Sequence, residues 1–384
     1  MKPLTALALT ALLTTASSSF AQSEQHHYVN RQLPMMHMSG LLQLLETIPL
    51  PTVGYMDHLA CDLRRMHLFV SGERNHEIVV VDLKAGKVIH VTPLAGSPRK
   101  PFFDPQLDQL WVDVGDNTAV ALSGATFTPL KRVELSGGPN AKDRDPDNAA
   151  YDDRAQLYYV AVRNRVAGTR QGSIEIVDTR SAQRIASIPL HVDEPAGLAL
   201  DRDRARLYVG IGDVVQGQSV VKVIDTHQRA VVAEWPIPGG PQPHVAAVDP
   251  LHQRLFLGSR LGGGHTAEPG KLVILSSETG RLIQALDAPG GGDEIFYDPT
   301  SSRVYFSGST GTVAVYHEDD PDHFRFLGNV PTGALAKSGI WVPELKRYYS
   351  AVPAHLVQVL PLEDYGIGDW VTEPAHLMVF EQAE

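Results

Sequence analysis

The sequence predicts an all-β fold, a seven-bladed β-propeller closed by an N-terminal outer strand that completes the last blade. Three observations support this prediction. The chain repeats one pattern of four short strands, the repeats recur every 42 to 49 residues, and no long segment keeps the apolar spacing of an amphipathic helix. Four strands at this period are typical of a propeller blade, whereas a β-sandwich would not keep one four-strand register.

Each repeat opens with a short apolar strand that ends in aspartate. A turn follows, then a partner strand rich in Tyr, Phe and Val such as Leu207–Val209, and then a β-branched third strand such as Ile174–Asp178. A fourth strand follows a turn such as Lys84–Gly86. The seven strand-ending residues are Asp62, Asp104, Asp152, Asp201, Asp249, Asp298 and, with proline in place of aspartate, Pro343.

The two ends of the chain predict how the ring of repeats closes. Leu41–Pro51 has the pattern of a fourth, outer strand without the three strands that should precede it. The last repeat has an inner strand near Ile340, a second at Tyr348 and a late third at Leu377–Phe380, but it lacks a fourth. Because unpaired strand edges promote aggregation, we expect the N-terminal strand to pair with the last repeat. Residues 41–384 then form a single domain.

Residues 1–21 have the pattern of a secretory signal peptide. Lys2 supplies the positive start, Leu4–Ala16 is apolar but too short to span a bilayer, and Ser19–Ala21 places small residues at the cleavage site. We therefore expect a periplasmic or secreted protein with no membrane span after signal removal. Residues 22–40 are predicted to be a flexible leader rich in histidine and methionine.

Composition narrows the class of protein. Apolar residues make up 43% of the 384 residues, enough for a large core, which excludes wholesale disorder. The net charge is −11, so duplex nucleic acid, which is bound through clustered Lys and Arg, is not an expected partner. The single cysteine, Cys61, excludes an intramolecular disulfide and a multi-cysteine zinc site. We expect its side chain to pack in the core rather than to act as a nucleophile.

Three segments carry a resemblance to a known family. Asp57–Asp62, Gly292–Asp298 and Val342–Arg347 resemble the repeats of the exported YncE-like, YVTN-repeat β-propeller proteins, and the similarity covers roughly Leu41–Glu381. The Tyr-Val-Thr-Asn sequence itself is absent, and Leu207–Gly210 is among its nearest counterparts. The resemblance implies a propeller with a binding or cell-surface role, and similar propellers include lactonases and quinoprotein subunits.

A binding site is expected where the inner strands begin. These strands converge on a central channel in a propeller, so the residues just before them share one rim. Several ionisable residues stand five positions before a strand-ending residue, and others stand four positions before one. Unpaired buried charges are costly, so these groups should be solvated, paired or bound to a ligand. The predicted ligand-binding residues are Asp57, His58, Arg99, Lys100, Asp147, Asn148, His244, His265, Asp293, Glu294 and Lys337.

The polar rim allows two interpretations. In the first, the mouth is filled with water, and Arg99 and Lys100 pair with Asp147, Asp293 or Glu294. In the second, the rim holds a small anion or a metal ion, for which imidazole and oxygen ligands suit calcium, zinc or copper. Spacing along the chain does not discriminate, because the ligands come from different blades. The candidate metal ligands are His58, Asn148, His244, Asp293 and Glu294.

Two loops are expected at the same rim. Leu261–Pro269, which contains three glycines and His265, would fold over the mouth as a lid or form a mobile surface loop. It lacks the Gly-Lys-Ser/Thr ending of a nucleotide-binding loop. Ala354–Ala375 has no strong strand pattern and is expected to be an insertion that covers the channel entrance. The leader's histidines and methionines would suit copper, although a disordered leader is the favoured interpretation.

The leading functional hypothesis is an exported, monomeric propeller that binds a small ligand, a metal ion or a protein partner at the central rim, around His244. It rests on the polar rim and on the absence of a nucleophile motif such as Gly-x-Ser-x-Gly. The alternative is a metal-dependent, lactonase-like hydrolase, in which an ion held by rim carboxylates and histidine activates water. Copper- or quinone-linked electron transfer is a third hypothesis. Whether the protein is an enzyme stays open at this point.

Overall fold

The computed structural model describes residues 40–136, 141–213, 218–260, 268–359 and 369–383. Every described residue belongs to one compact unit, Leu33–Glu384. The predicted signal peptide, the leader up to residue 39 and the His265 segment lie outside the described residues. Within those described ranges, no helix is long and apolar enough to cross a membrane.

Seven four-stranded antiparallel sheets confirm the predicted seven-bladed propeller. Six blades use four consecutive strands each, from β2–β5 to β22–β25, and each inner strand packs beside the next until β26 meets β2. The strands are β1 (Leu42–Pro49), β2 (Leu59–Asp62), β3 (His67–Gly72), β4 (Glu77–Asp82), β5 (Lys87–Pro93), β6 (Pro98–Asp104), β7 (Gln109–Val114), β8 (Thr118–Ser123), β9 (Pro129–Glu134), β10 (Arg144–Asp152), β11 (Leu157–Asn164), β12 (Ser173–Asp178), β13 (Gln183–Pro189), β14 (Pro195–Asp201), β15 (Arg206–Asp213), β16 (Gln218–Asp225), β17 (Ala230–Pro236), β18 (Pro243–Asp249), β19 (Arg254–Ser259), β20 (Gly270–Ser276), β21 (Leu282–Ala288), β22 (Gly292–Asp298), β23 (Arg303–Gly308), β24 (Thr312–Asp320), β25 (His323–Pro331), β26 (Ser338–Val342), β27 (Arg347–Val352), β28 (His355–Val359), β29 (Asp369–Glu373) and β30 (His376–Gln382). Two short 3₁₀ helices span Ala141–Asp143 and Pro343–Leu345.

The N-terminal strand closes the ring, as predicted. Blade 7 has the strand order β1-β30-β27-β26, so its outer strand comes from the start of the chain and its other three strands from the end. β1 pairs antiparallel with β30 from Leu42 opposite Gln382 to Pro49 opposite His376. This pairing covers the edge that blade 7 would otherwise expose.

An aspartate ends each of the first six inner strands, as the repeat pattern predicts. Its carboxylate accepts hydrogen bonds from backbone N–H groups two or three residues later; Asp152 Oδ1 lies 3.0 Å from the Arg154 nitrogen and 2.9 Å from the Ala155 nitrogen. The turn ends with a left-handed residue, Gln156, whose φ is 58°. Local bonds of this kind stop the inner strand and start the second strand within a few residues.

The seventh inner strand differs slightly from the prediction. β26 ends at Val342, and Pro343 begins a 3₁₀ helix instead of ending the strand. Proline suits the first position of a helix because its φ is already restricted and its missing N–H would have no helical partner.

The core consists of seven buried apolar clusters, one for each seam between neighbouring blades. In the seam between blades 5 and 6, Phe256 packs with Val304 and Phe306, and burying each such side chain contributes about 1.5–3 kcal/mol. A Cβ on Gly292 would lie 2.1 Å from the Phe306 ring, so the close approach requires glycine. Cys61 packs against the cluster between blades 7 and 1, and burial raises the pKa of its thiol to about 12, which keeps it protonated.

The insertion in blade 7 contains more regular structure than the sequence pattern indicates. β28 and β29 pair antiparallel as a separate two-stranded sheet between β27 and β30. The segments are five residues each, too short for their β-branched and aromatic residues to produce a clear alternation. That the insertion covers the channel entrance stays a prediction.

Candidate functional site

Charged side chains form a network at the end of the propeller where the inner strands begin. We call these side chains and their partners the rim network. Most of the predicted rim residues stand near the start of β6, β10, β18 or β22, or just before β2 or β26. His58 and Glu294 are separated by 236 residues in the sequence and are nevertheless hydrogen-bonded. Ring closure therefore brings side chains of distant blades into contact.

His58, Lys100 and Glu294 form one part of the rim network. The Glu294 carboxylate binds His58 Nδ1 and accepts a hydrogen bond from Lys100 Nζ at 3.0 Å. Both His58 and Glu294 are buried. Burial alone would lower the pKa of His58, but the Glu294 and Asp57 carboxylates together outweigh burial and raise that pKa. The pair therefore favours an imidazolium at His58.

Asp57 lies between two cationic side chains. Its Oδ1 is 3.8 Å from Lys337 Nζ and its Oδ2 is 3.5 Å from Arg99 Nη1; Arg99 also pairs with Glu73. Burial disfavours the charged carboxylate, yet Lys337 and then His58 outweigh burial and lower the pKa of Asp57. Burial and the Asp57 charge raise the pKa of Glu73. Asp57 is thus the more strongly ionised of the two acids.

Asp293 connects the two sides of the rim network. Its Oδ2 accepts a hydrogen bond from Lys337 Nζ at 2.6 Å, while Oδ1 pairs with Arg260 and lies 3.3 Å from His244 Nε2. Although burial opposes ionisation, Lys337 and Arg260 hold the pKa of Asp293 well below its usual range. Burial and Arg260 lower the pKa of His244. The imidazole of His244 is therefore neutral at neutral pH.

Asp147 has one oxygen paired and one oxygen free of hydrogen bonds. Oδ1 lies 2.9 Å from Arg163 Nη2, which also donates to Asp145. Oδ2 is 3.9 Å from His244 Nε2 and has no hydrogen-bond partner among the residues that the structure describes, although it is buried. Burial opposes ionisation, but Arg163 and His244 lower the pKa of Asp147. A buried ionised oxygen without a donor is costly, so a donor is expected beside it.

A cavity of about 110 Å³ lies between blades 3, 4 and 5, and Asp147 is one of its lining residues. Two arginines and two acidic residues supply the charged groups of the cavity wall. Its lining residues are Asp147, Arg163, Glu194, Ala196, Gly212, Gln242, Pro243, His244 and Arg260. We call this space the blade 3–5 cavity.

A second cavity, of about 260 Å³, lies among the inner strands of blades 1, 2, 6 and 7. Lys100 and Glu294 lie at its edge, and most of its other lining residues are apolar, among them Phe102, Phe296 and Trp341. This cavity offers mainly apolar contacts, one ion pair and the Glu344 carboxylate. The blade 3–5 cavity instead offers several polar groups that could orient a ligand.

Asp113 lies behind Lys100 and is a second carboxylate near the rim with one unsatisfied oxygen. Its Oδ1 accepts hydrogen bonds from the Lys100 backbone N–H and the Tyr158 hydroxyl, both at 2.9 Å. Its Oδ2 is buried and has no hydrogen-bond partner within the described ranges. Burial raises the pKa of the Asp113 carboxyl to about 6.

The structure brings most of the predicted rim residues together, and Asn148 and His265 are the exceptions. Arg99 belongs to the rim network but pairs with Asp57 and Glu73, not with the acidic residues of the first interpretation, because Glu73 directly follows the adjacent second strand, β3. Asn148 is buried, but its side chain accepts a hydrogen bond from the Ala149 backbone N–H instead of joining an ion pair. His265 lies outside the described residues. The Lys100–Glu294 pair does match the first interpretation.

The prediction from sequence missed three members of the rim network, Glu73, Arg163 and Arg260. Each stands eleven positions after a strand-ending aspartate; Arg163 lies near the end of a second strand, and Glu73 and Arg260 directly follow one. Second strands run antiparallel to inner strands, so their ends reach the same rim as the inner-strand starts. Counting forward by eleven, as well as back by five, would have found all three.

Comparisons with known proteins show the fold and no family. No family model and no curated protein matches the chain. Among solved structures, Kuenenia stuttgartiensis hydrazine synthase is similar at 15% identity and a TM-score of 0.65, over 85% of this chain and 97% of that chain. A chain of the mitotic checkpoint complex has 14% identity and a TM-score of 0.65, with 89% and 92% covered. The Dos1 propeller has 11% identity and a TM-score of 0.60, with 89% and 96% covered. At these identities the similarity establishes a propeller fold, and the YncE-like family assignment stays a prediction.

Proposed function

We propose that this propeller is an exported binding protein that takes a small polar molecule in the blade 3–5 cavity. The observation that carries the proposal is that Asp147 lines this cavity and that its buried Oδ2 atom has no hydrogen-bond donor among the described residues. A hydroxyl or amino group of a ligand would supply that donor. Export is inferred from the predicted signal peptide.

The two arginines of the cavity support an anionic group on the ligand. Arg163 makes its ion pairs through Nη2, and Arg260 makes its contacts with Gly292 and Asp293 through Nε and Nη2. A guanidinium group has five N–H donors, so each has donors that these contacts do not use. Arginine binds carboxylate and phosphate groups through two parallel N–H···O bonds, and a carboxylate is the smaller of the two. The ligand class that fits is a small amino acid or hydroxy acid.

The geometry supports binding more than it supports the hydrolase alternative. A rim metal ion would need carboxylates of Asp293 and Glu294, which Lys337, Arg260 and Lys100 already neutralise. A divalent cation at those oxygens would have to displace the cationic side chains.

The test is calorimetric titration of the protein with a panel of small amino acids and hydroxy acids. We expect one class to bind, and Asp147→Asn and His244→Ala to weaken that binding about 10- to 100-fold, because a hydrogen bond to a charged group is worth about 1.5–3 kcal/mol. Asp203→Asn removes the same charge from an exposed residue and should bind like the wild type.

Two results would contradict the proposal. One is equal binding by Asp147→Asn, His244→Ala and Asp203→Asn, all shown to be folded by circular dichroism. The other is binding by none of the panel. Hydrolysis of a lactone panel that depends on added metal ion and is lost in Glu294→Gln would instead support the hydrolase.

A further inference from the structure

Asp249, His252 and Glu318 form a second polar cluster, distant from the rim network. Asp249 ends β18, whereas His244 stands near the start of the same strand, so the two lie about 17 Å apart at 3.3 Å per residue. His252 is in the turn after β18, and Glu318 is in β24 of blade 6. His252 Nδ1 lies 2.8 Å from Asp249 Oδ2 and 3.0 Å from Glu318 Oε1. The cluster therefore spans the seam between blades 5 and 6.

Glu318 departs from the pattern of the other blades. Its backbone N–H donates to the Ser302 carbonyl, which stands just before the second strand of its blade. The residues that make the same backbone bond in blades 1 to 5 are uncharged: Leu83, Gly124, Thr179, Thr226 and Ser277. The Glu318 side chain is nevertheless 2% exposed. A buried carboxylate at this position is not required by the fold and costs free energy unless it has a partner.

The ring nitrogen and the nearest glutamate oxygen approach closely without forming a hydrogen bond. His252 Nδ1 and Glu318 Oε1 are both buried atoms that lack a hydrogen-bond partner among the described residues, despite a separation of 3.0 Å. The angle is therefore unsuitable for an N–H donor. Two ligand atoms that each lie about 2.1 Å from one ion are about 3 Å apart at the right angle of octahedral manganese and about 3.4 Å apart at the tetrahedral angle of zinc. Such atoms point at the ion and not at each other.

Tyr297 holds Glu318 in position. Its hydroxyl donates to Glu318 Oε2, which leaves Oε1 for the cluster. A hydrogen bond to the second oxygen of a carboxylate is a common way to orient a metal ligand. The His252 side chain is 37% exposed although its Nδ1 atom is buried, so a rotation of the ring would admit an ion from solvent.

We propose that Asp249, His252 and Glu318 bind a divalent transition-metal ion, zinc or manganese, through one imidazole and two carboxylates. This ligand set suits those ions better than calcium, which prefers six to eight oxygens. Because the ligands come from blades 5 and 6, the bound ion would link the two blades and stabilise the folded protein.

The experiment is a titration of the full chain and of Glu318→Gln with Zn²⁺ and with Mn²⁺, followed by calorimetry and by thermal unfolding. The histidines of the leader and of the rim network are present in both proteins, so the difference between the two isolates this cluster. We expect the wild type to bind one more equivalent of ion than Glu318→Gln, and its unfolding temperature to rise with added ion more than that of the variant.

Two further variants keep the proposal falsifiable if Glu318→Gln folds poorly. His252→Ala changes a half-exposed residue and should lose the same equivalent, while Tyr297→Phe should keep the equivalent with about 10- to 100-fold weaker affinity. Equal stoichiometry and equal thermal shifts in the wild type, Glu318→Gln and His252→Ala would overturn the proposal. In that case the three side chains form an ion pair without a metal.

Discussion

The two ends of the inner strands use the same residue type in different ways. At the turn end, the carboxylate of Asp152 accepts hydrogen bonds from backbone N–H groups two and three residues later. At the rim end, Asp293 is neutralised by Lys337 and Arg260, which belong to other parts of the chain. Local bonds need only a turn, whereas the rim pairs need a closed ring. The turn aspartates therefore help to form the fold, whereas the rim aspartates find their partners only after the fold has formed.

The largest expected effect tests the rim end of this comparison. Lys337 lies within contact of two buried carboxylates, Asp57 and Asp293, so Lys337→Met leaves both with less positive charge. Removing one partner from a buried ion pair costs about 3–5 kcal/mol, and urea denaturation should show a loss of that size. Lys271→Met is the matched control, because Lys271 pairs with the exposed Asp287 and such pairs contribute at most about 1 kcal/mol. Similar losses in the free energy of unfolding of the two variants would show that the buried rim pairs contribute no more than an exposed pair.

A pH-dependent effect of intermediate size is expected at Asp113. The pKa of this carboxyl is about 6 in the folded protein against an ordinary value of 3.8, so the folded state loses stability as the pH rises from 3.8 through 6. A shift of about two units corresponds to about 3 kcal/mol. Asp113→Asn keeps the Oδ1 acceptor for Tyr158 and has no charge to bury.

We therefore expect Asp113→Asn to be more stable than the wild type by up to about 3 kcal/mol at pH 8 and equal to it near pH 3.5. Urea denaturation across this pH range measures the difference. Asp203→Asn, at an exposed residue, should show no such trend. A constant difference between Asp113→Asn and the wild type at all pH values would mean that the Asp113 charge is not the cause.

The smallest expected effect tests the turn end. Asp152→Ala removes the acceptor of two backbone N–H groups and should cost about 1 kcal/mol. Asp152→Asn keeps an oxygen acceptor and should cost much less, because the turn requires a hydrogen bond and not a negative charge. Thermal unfolding of both variants is the measurement. Equal losses would show that charge matters at this end too, which would weaken the contrast with the rim.

Much of the fold could be predicted from the sequence because its determinants are local. Each inner strand stops where an aspartate binds the next turn, and this pattern recurs in blades 1 to 6. The unfinished last repeat and the lone strand at Leu42–Pro49 were enough to predict ring closure. The pair β28 and β29 was missed, since two segments of five residues carry too little periodicity.

The candidate sites could be predicted only in part. Counting along the repeats placed Asp147, His244 and Asp293 at one rim, and the structure brings them together. It did not predict which cation pairs with which acid, nor that Asp147 Oδ2 has no hydrogen-bond donor in the described part of the chain. The Asp249–His252–Glu318 cluster was not predicted at all, because Glu318 comes from the next blade.

The sequence by itself determined the number of blades, the ends of the inner strands and the way the ring closes, since each depends on turn chemistry and apolar alternation over a few residues. Only the tertiary structure decided the partners of the buried charges. The pKa of His58 rises beside Glu294 while that of His244 falls beside Arg260, although both histidines stand near the starts of inner strands. The physical reason is that a charge in a buried site responds to whatever lies within a few ångströms, and those neighbours are set by the packing of distant blades.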